Sequence, residues 1–134
     1  MAIDLSQLES YLKQFPDFAE EAGKKAALAA GIALQKQMKD VMTNAGPSPS
    51  KAGNPPAVDT GNLRRSIQIN QDTASGDVEV GTNVEYARYL EYGTSKMAAR
   101  PWLNRSFNLA KSSMSRYAKL AMEKEYQDFL RKNK

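Results

Sequence analysis

Histidine and cysteine are the side chains that most readily run proton transfer, nucleophilic attack and metal ligation near neutral pH, and this chain of 134 residues has neither. Any catalysis would have to rest on Asp, Glu, Lys, Tyr or Ser. Glu85 and Glu91 are the carboxylates nearest the most patterned stretch of the chain. Six residues apart on one short helix they point to different sides, so they do not form an acid/base pair. Ser48-Pro49-Ser50-Lys51 has the Ser-x-x-Lys spacing of an acylating serine, but that chemistry needs a rigid helical setting and companion motifs, which are missing. No phosphate-cradling glycine loop, nucleophile elbow or Asp-rich calcium loop occurs. Without cysteine there is neither a thiolate metal site nor a disulfide framework, which points by default to a reducing compartment. The sequence therefore predicts a protein that is not an enzyme and takes no cofactor or metal.

Binding chemistry is better represented. The formal charge is +4 and the isoelectric point about 9.3, but the cations are unevenly placed. Residues 1 to 99 hold ten Lys/Arg against twelve Asp/Glu, and residues 100 to 134 hold nine against three. A polyanion contact is expected in the last quarter, which also carries Trp102, Phe107, Tyr117, Tyr126 and Phe129. Stacking on bases would require those rings to face outward among the cations. The spacing of Leu103, Phe107, Ala110, Met114, Tyr117 and Ala121, by fours and threes, instead predicts one inward apolar stripe. A small basic nucleic-acid-binding domain is thus an alternative to be weighed.

The elements that must position these groups follow from periodicity and breakers. A chain of this length is one domain by size, residues 1–134, and buries roughly two thirds of its unfolded surface. Leu5, Leu8 and Leu12 predict a short helix from about Asp4 to Gln14, ended by Pro16. A second helix begins near Asp17 and runs to about Met42, its middle rich in alanine around Gly31. Those small residues suit a helix lying on a sheet, or one packing between subunits. From 44 to 58 the chain turns to Gly, Pro, Ser and Asn and reads as a long flexible loop. Asp59-Thr60-Gly61 offers oxygens to cap a turn through Leu63 and Arg65. The period then becomes two: Ile67 and Ile69, and Val78 and Val80, predict a hairpin turning at Asp72-Thr73-Ala74-Ser75-Gly76.

Tyr86, Tyr89 and Leu90 fall at helical spacing, with Gly93 as the C-terminal cap. The tyrosines, Tyr92 included, either pack the hairpin to the helices or make an adhesive subunit surface. Thr94 to Arg100 reads as a loop, and Pro101 suits the first position of a last helix to about Leu130, about 45 Å long. The fold class predicted is α+β: a small antiparallel sheet built on a hairpin, packed against a long N-terminal and a long C-terminal helix. No run approaches a membrane span, and Met1-Ala2-Ile3-Asp4 does not open a secretory leader, so the chain is expected in the cytoplasm.

Three segments stand out in order: Asp59-Thr60-Gly61-Asn62-Leu63-Arg64-Arg65-Ser66-Ile67, then Val80-Gly81-Thr82-Asn83-Val84-Glu85-Tyr86-Ala87-Arg88-Tyr89-Leu90-Glu91-Tyr92-Gly93-Thr94, then Ala99-Arg100-Pro101-Trp102-Leu103. In type, order and spacing this stretch of about fifty residues resembles the head-tail joining proteins of long-tailed, siphovirus-type bacteriophages. These are the tail-completion or neck ring proteins, also described as minor tail or morphogenesis proteins. The flanking helices match only in kind. The resemblance implies a structural virion protein at the head-tail junction, made in the bacterial host cytoplasm. It implies a hexameric ring joining the capsid's connector or stopper to the tail tube or terminator. Double-stranded DNA would pass through that ring without sequence-specific contact, and no membrane is involved. The loop from Gly93 to Arg100 is the expected subunit or partner contact, with Tyr89, Gly93, Thr94, Lys96, Arg100 and Trp102 as its residues, because aromatic and arginine side chains cluster there beside glycine and proline hinges. The competing reading is that Arg100 and Trp102 only anchor the last helix.

Overall fold

The computed structural model describes residues 5–43, 53, 61–96 and 98–132. Over these the chain order is α1 (Leu5–Gln14), α2 (Pro16–Thr43), α3 (Asn62–Ser66), β1 (Gln68–Gln71), β2 (Val78–Gly81), α4 (Tyr86–Tyr92) and α5 (Leu103–Lys132). The fold is α+β, as the sequence predicts, with two long helices and one antiparallel hairpin. The expected loop at 44–58, Gly53 apart, and the expected cap at Asp59 and Thr60 lie outside the described residues.

Pro16 both ends α1 and opens α2, since a missing N–H costs nothing in a first helical turn. α2 and α5 then pack along one another. Each helix carries a buried or half-buried row spaced by four. On α2 the buried or half-buried row is Phe18, Ala22, Ala26, Ala30, Leu34, Met38 and Met42. On α5 it starts at Trp102 and continues through Ser106, Ala110, Met114, Ala118, Met122 and Tyr126. Four-residue rows are one of the two natural ridges on a helix surface. The α2 row is alanine through its middle, and the α5 row sets Ser106, Ala110 and Ala118 among larger residues. At one end Phe18 meets Tyr126 and Phe129, with ring centroids 6.4 and 4.9 Å apart, and Leu8 of α1 and Ala22 complete that cluster. At the other end Met38, Val41 and Met42 pack with Trp102, Leu63, Ile67 and Ala87.

The row on α5 corrects the inward stripe expected from sequence. Leu103, Phe107 and Tyr117 are 36%, 45% and 45% exposed, whereas Ser106 and Ala110 are buried. A stripe alternating fours with threes coincides with the four-residue row only at Ala110 and Met114, and it swings to the flank on either side.

The hairpin lies on the face of α2 marked by Gly31. A Cβ at that position would sit 2.7 Å from Val78 Cγ1, so only glycine lets β2 come this close. Ile69, Gln71, Val78 and Val80 turn toward the helix, while Gln68, Asn70 and Glu79 face out, in the register Ile69 to Val80 and Asn70 to Glu79. Polar ties fix the docking. Gln35 Nε2 donates to Ile67 O at 2.9 Å, Gln71 Nε2 to Lys24 O at 2.8 Å, and Lys24 Nζ to Thr73 O at 2.9 Å. At the tip, Asp72 Oδ1 accepts from Ala74 N at 2.8 Å and Ser75 N at 3.0 Å, and Gly76 takes φ 81°. The backbone donors of Ser75 and Ala74 hold the Asp72 carboxyl below its usual value.

Candidate docking surface

The site begins at the open end of the hairpin, where β2 leads into α4. Tyr86 and Tyr89 are exposed, and Tyr92 is 73% exposed. The Arg88 guanidinium lies 5.4 Å from the centroid of the Tyr89 ring, an exposed cation on an exposed aromatic. α4 stops at Gly93, whose φ of 77° is costly for other residues and whose N–H donates to Tyr89 O at 2.7 Å. The sequence expectation of a glycine cap is met there. The loop that follows is pinned at its base, Arg100 N donating to Leu90 O at 2.6 Å. Thr94, Ser95, Lys96 and Ala98 stand exposed above that base, and Thr94 Oγ1 accepts from Lys96 N at 3.2 Å.

Behind the loop stands Trp102. It is 3% exposed, packed in the core at the α2 C-terminal end, and its Nε1 donates to Ala87 O at 3.1 Å. Of the residues singled out from sequence, Tyr89, Thr94 and Lys96 thus share one exposed surface. Gly93 and Arg100 shape its edges. Trp102 supports it from within and does not present its ring.

Glu91 is the residue that sequence reasoning passed over. The helix α5 starts with Arg100-Pro101-Trp102 in front of it, a stretch without the Ser, Thr, Asp or Asn that would cap its first turn. Pro101 itself lies before the helix and not at its first position. The missing acceptor comes from α4: the buried Glu91 carboxylate takes Trp102 N at 2.8 Å, Leu103 N at 2.7 Å and Asn104 N at 3.2 Å. Three orphan donors and the positive end of the helix dipole are thereby met by one side chain. A helix start lacking its own cap was the signal available in the sequence. The outcome is mechanical: Glu91 ties α4 to the start of α5, and Arg100 N ties the base of the loop to α4 as one unit. Gly53 joins it, donating its N–H to Ala99 O at 2.8 Å and accepting from Arg105 at 3.4 Å.

A shallow groove of about 280 Å³ runs beside this unit, floored by Val80, Val84, Ala87 and Trp102 and rimmed by Tyr92 and Leu103. No group of three Asp or Glu side chains that could hold a metal occurs among the described residues. No described helix is long and apolar enough to cross a membrane. What the surface offers is shape, aromatic area and cations.

Residues 6–93, from α1 to the glycine that ends α4, match the family model "Bacteriophage HK97-gp10, putative tail-component". The chain belongs to this HK97 gp10-like family. No curated protein and no solved structure gives a match. The HK97 gp10-like assignment agrees with the head-tail joining resemblance carried by the three sequence segments and makes this a phage structural component, part of the virion's tail apparatus. The exposed loop and all of α5 lie beyond the matched residues.

Proposed function

We propose that this chain is a neck or tail-completion protein. It closes into a hexameric ring at the head-tail junction and joins the connector of the DNA-filled capsid to the tail, with no bond made or broken. The observation that carries the reading is the HK97 gp10-like match over residues 6–93, joined to a surface built for contact: exposed Tyr86, Tyr89 and Tyr92 beside a pinned, cation-bearing loop. Aromatic and arginine side chains on rigid elements are what subunit contacts concentrate. The loop from Gly93 to Arg100 meets the neighbouring subunit or the connector, with Trp102 holding it in place. Ring closure needs two different complementary surfaces per chain, and the hairpin and the α4–α5 unit supply them.

The test is genetic. Removing the gene from the phage that carries it should leave filled capsids and free tails, separate in electron micrographs, and the supplied protein should restore joining. Normal tailed particles in its absence would exclude the role.

A second reading gains from one finding. Lys111 lies 5.5 Å from the Phe107 ring centroid, and Arg116 lies 5.1 Å from that of Tyr117, on exposed flanks of α5. Outward rings among cations are what a single-stranded nucleic-acid platform uses. Tight retention of oligonucleotides that falls steeply with salt, and is lost in a Phe107→Ala, Tyr117→Ala variant, would favour it.

A further inference from the structure

The charges of this chain are segregated along the hairpin axis. Residues 67–84 hold Asp72, Asp77 and Glu79 and not one Lys or Arg. All three carboxylates are exposed, and by the alternation along the strands Glu79 shares the outward face with Gln68 and Asn70. The elements at the root of the hairpin have the opposite character. α3, immediately before β1, carries Arg64 and Arg65; α4, immediately after β2, carries Arg88; the pinned loop carries Lys96, and the first turn of α5 carries Arg105. Of the two glutamates there, Glu91 is buried and spent on the start of α5, leaving Glu85 exposed.

These root cations make no ion pair among the described residues. The described pairs, Lys24 with Glu20, Lys25 with Glu125, Lys36 with Asp40 and Arg131 with Asp128, all lie on α2 and α5. Arg65 is held by Asn62 Oδ1 at 2.9 Å and Arg64 by Thr43 Oγ1 at 2.9 Å, both neutral acceptors. Among the described residues the exposed carboxylates of the hairpin and the exposed cations of the elements flanking it therefore make no ion pair with one another, and the cation beside the hairpin tip is Lys24 of α2, which, after the Ser75 and Ala74 N–H donors, helps to lower the Asp72 carboxyl.

We infer that the acidic outer face of the hairpin ribbon docks on the basic elements at the hairpin root of a second copy, a shelf of Arg65, Arg88, Lys96 and Arg105 together with the exposed tyrosines of α4. This rests on the self-assembling role above and names the two surfaces that meet. The contact is heterologous, so it propagates from copy to copy and can close into a ring. Exposed ion pairs contribute little individually, and the tyrosines supply the apolar area. The charges set register and exclude the reverse pairing, shelf on shelf or ribbon on ribbon.

Charge reversal of the purified full chain, read by sedimentation velocity, tests it. Arg88→Glu with Lys96→Glu reverses the shelf, and Asp77→Lys with Glu79→Lys reverses the ribbon. None of these four side chains is part of a core, and Arg88→Gln with Lys96→Gln serves as a milder substitute should the reversal impair folding by circular dichroism. The wild type should associate, less at high salt, and each reversed variant alone should associate roughly a hundredfold more weakly. Mixing the two reversed variants should restore association, because every contact in an alternating assembly is again complementary. A wild type monomeric at all concentrations, reversals without effect, or a mixture that stays monomeric would each overturn the inference. So would loss of duplex-DNA retention in the shelf variant with assembly unchanged, which would make the shelf a nucleic-acid surface. A chain that is monomeric yet needed for tail attachment keeps the virion role and removes this contact; a chain that assembles this way yet is dispensable for tails does the reverse.

Discussion

At the scale of single residues, Glu91 and Gly31 carry more of the structure than their surroundings in the sequence suggest. Glu91→Ala strips three N–H groups at the start of α5 of their acceptor and should cost about 2–3 kcal/mol in urea unfolding. Glu91→Gln, which keeps an acceptor oxygen without the charge, should lose about half of that. Gly31→Ala gains about 1 kcal/mol of helix propensity but drives a methyl into Val78, and the balance should be a loss of about 1–2 kcal/mol. Combining it with Val78→Ala should recover part of the loss, a coupling that a double-mutant cycle measures. Asp72 gives a pH signature. Its carboxyl is lowered in the folded state by the Ser75 and Ala74 N–H groups, so its stabilisation is present above the unfolded value, about 3.9, and is lost as pH falls through the folded one. An Asp72→Ala variant should therefore be less stable than the wild type at pH 7 and draw level with it in strong acid.

At the scale of elements, boundaries and types were legible and helix phase was not. Pro16, Gly93 and the switch from a period near four to a period of two announce α1, α2, the hairpin and α4, because breakers and alternation act locally. Which side of α5 faces α2 depends on the ridge that the partner helix presents. Alternating fours and threes selected Leu103, Phe107 and Tyr117, whereas the four-residue ridge of α2 selects Trp102, Ser106 and Ala118. The small residues of that row could have been weighed, since an alanine-rich α2 asks for a close neighbour. Phe107 and Tyr117 being exposed, replacing both by Ser should change stability by less than about 1 kcal/mol. Ala110→Leu, at a fully buried position of α5, should cost about 2–3 kcal/mol by thermal or chemical unfolding.

At the scale of the whole molecule, kinship with a phage tail component was legible through a stretch of about fifty residues whose pattern resembles one phage family, and the HK97 gp10-like match bears on the same region from the N-terminal side. Of the candidate site, the exposure of Tyr89, Thr94 and Lys96 was legible, but the burial of Trp102 and the clamp at Glu91 were not, because a remote cap joins residues eleven to thirteen apart that no local rule connects. The sequence likewise placed its excess of cations in the last quarter, whereas α3, α4 and the loop that flank the hairpin carry a second, exposed set in Arg65, Arg88 and Lys96.

A protein that works by docking as a fixed structural part of the virion must be present in finished particles. The most direct measurement is quantitative mass spectrometry of purified, infectious particles, with labelled peptides of this chain as standards. It should find the chain in every preparation at a stoichiometry fitting a single ring per particle, retained after high-salt washing. Finding it in the infected cell but absent from finished particles would contradict the account.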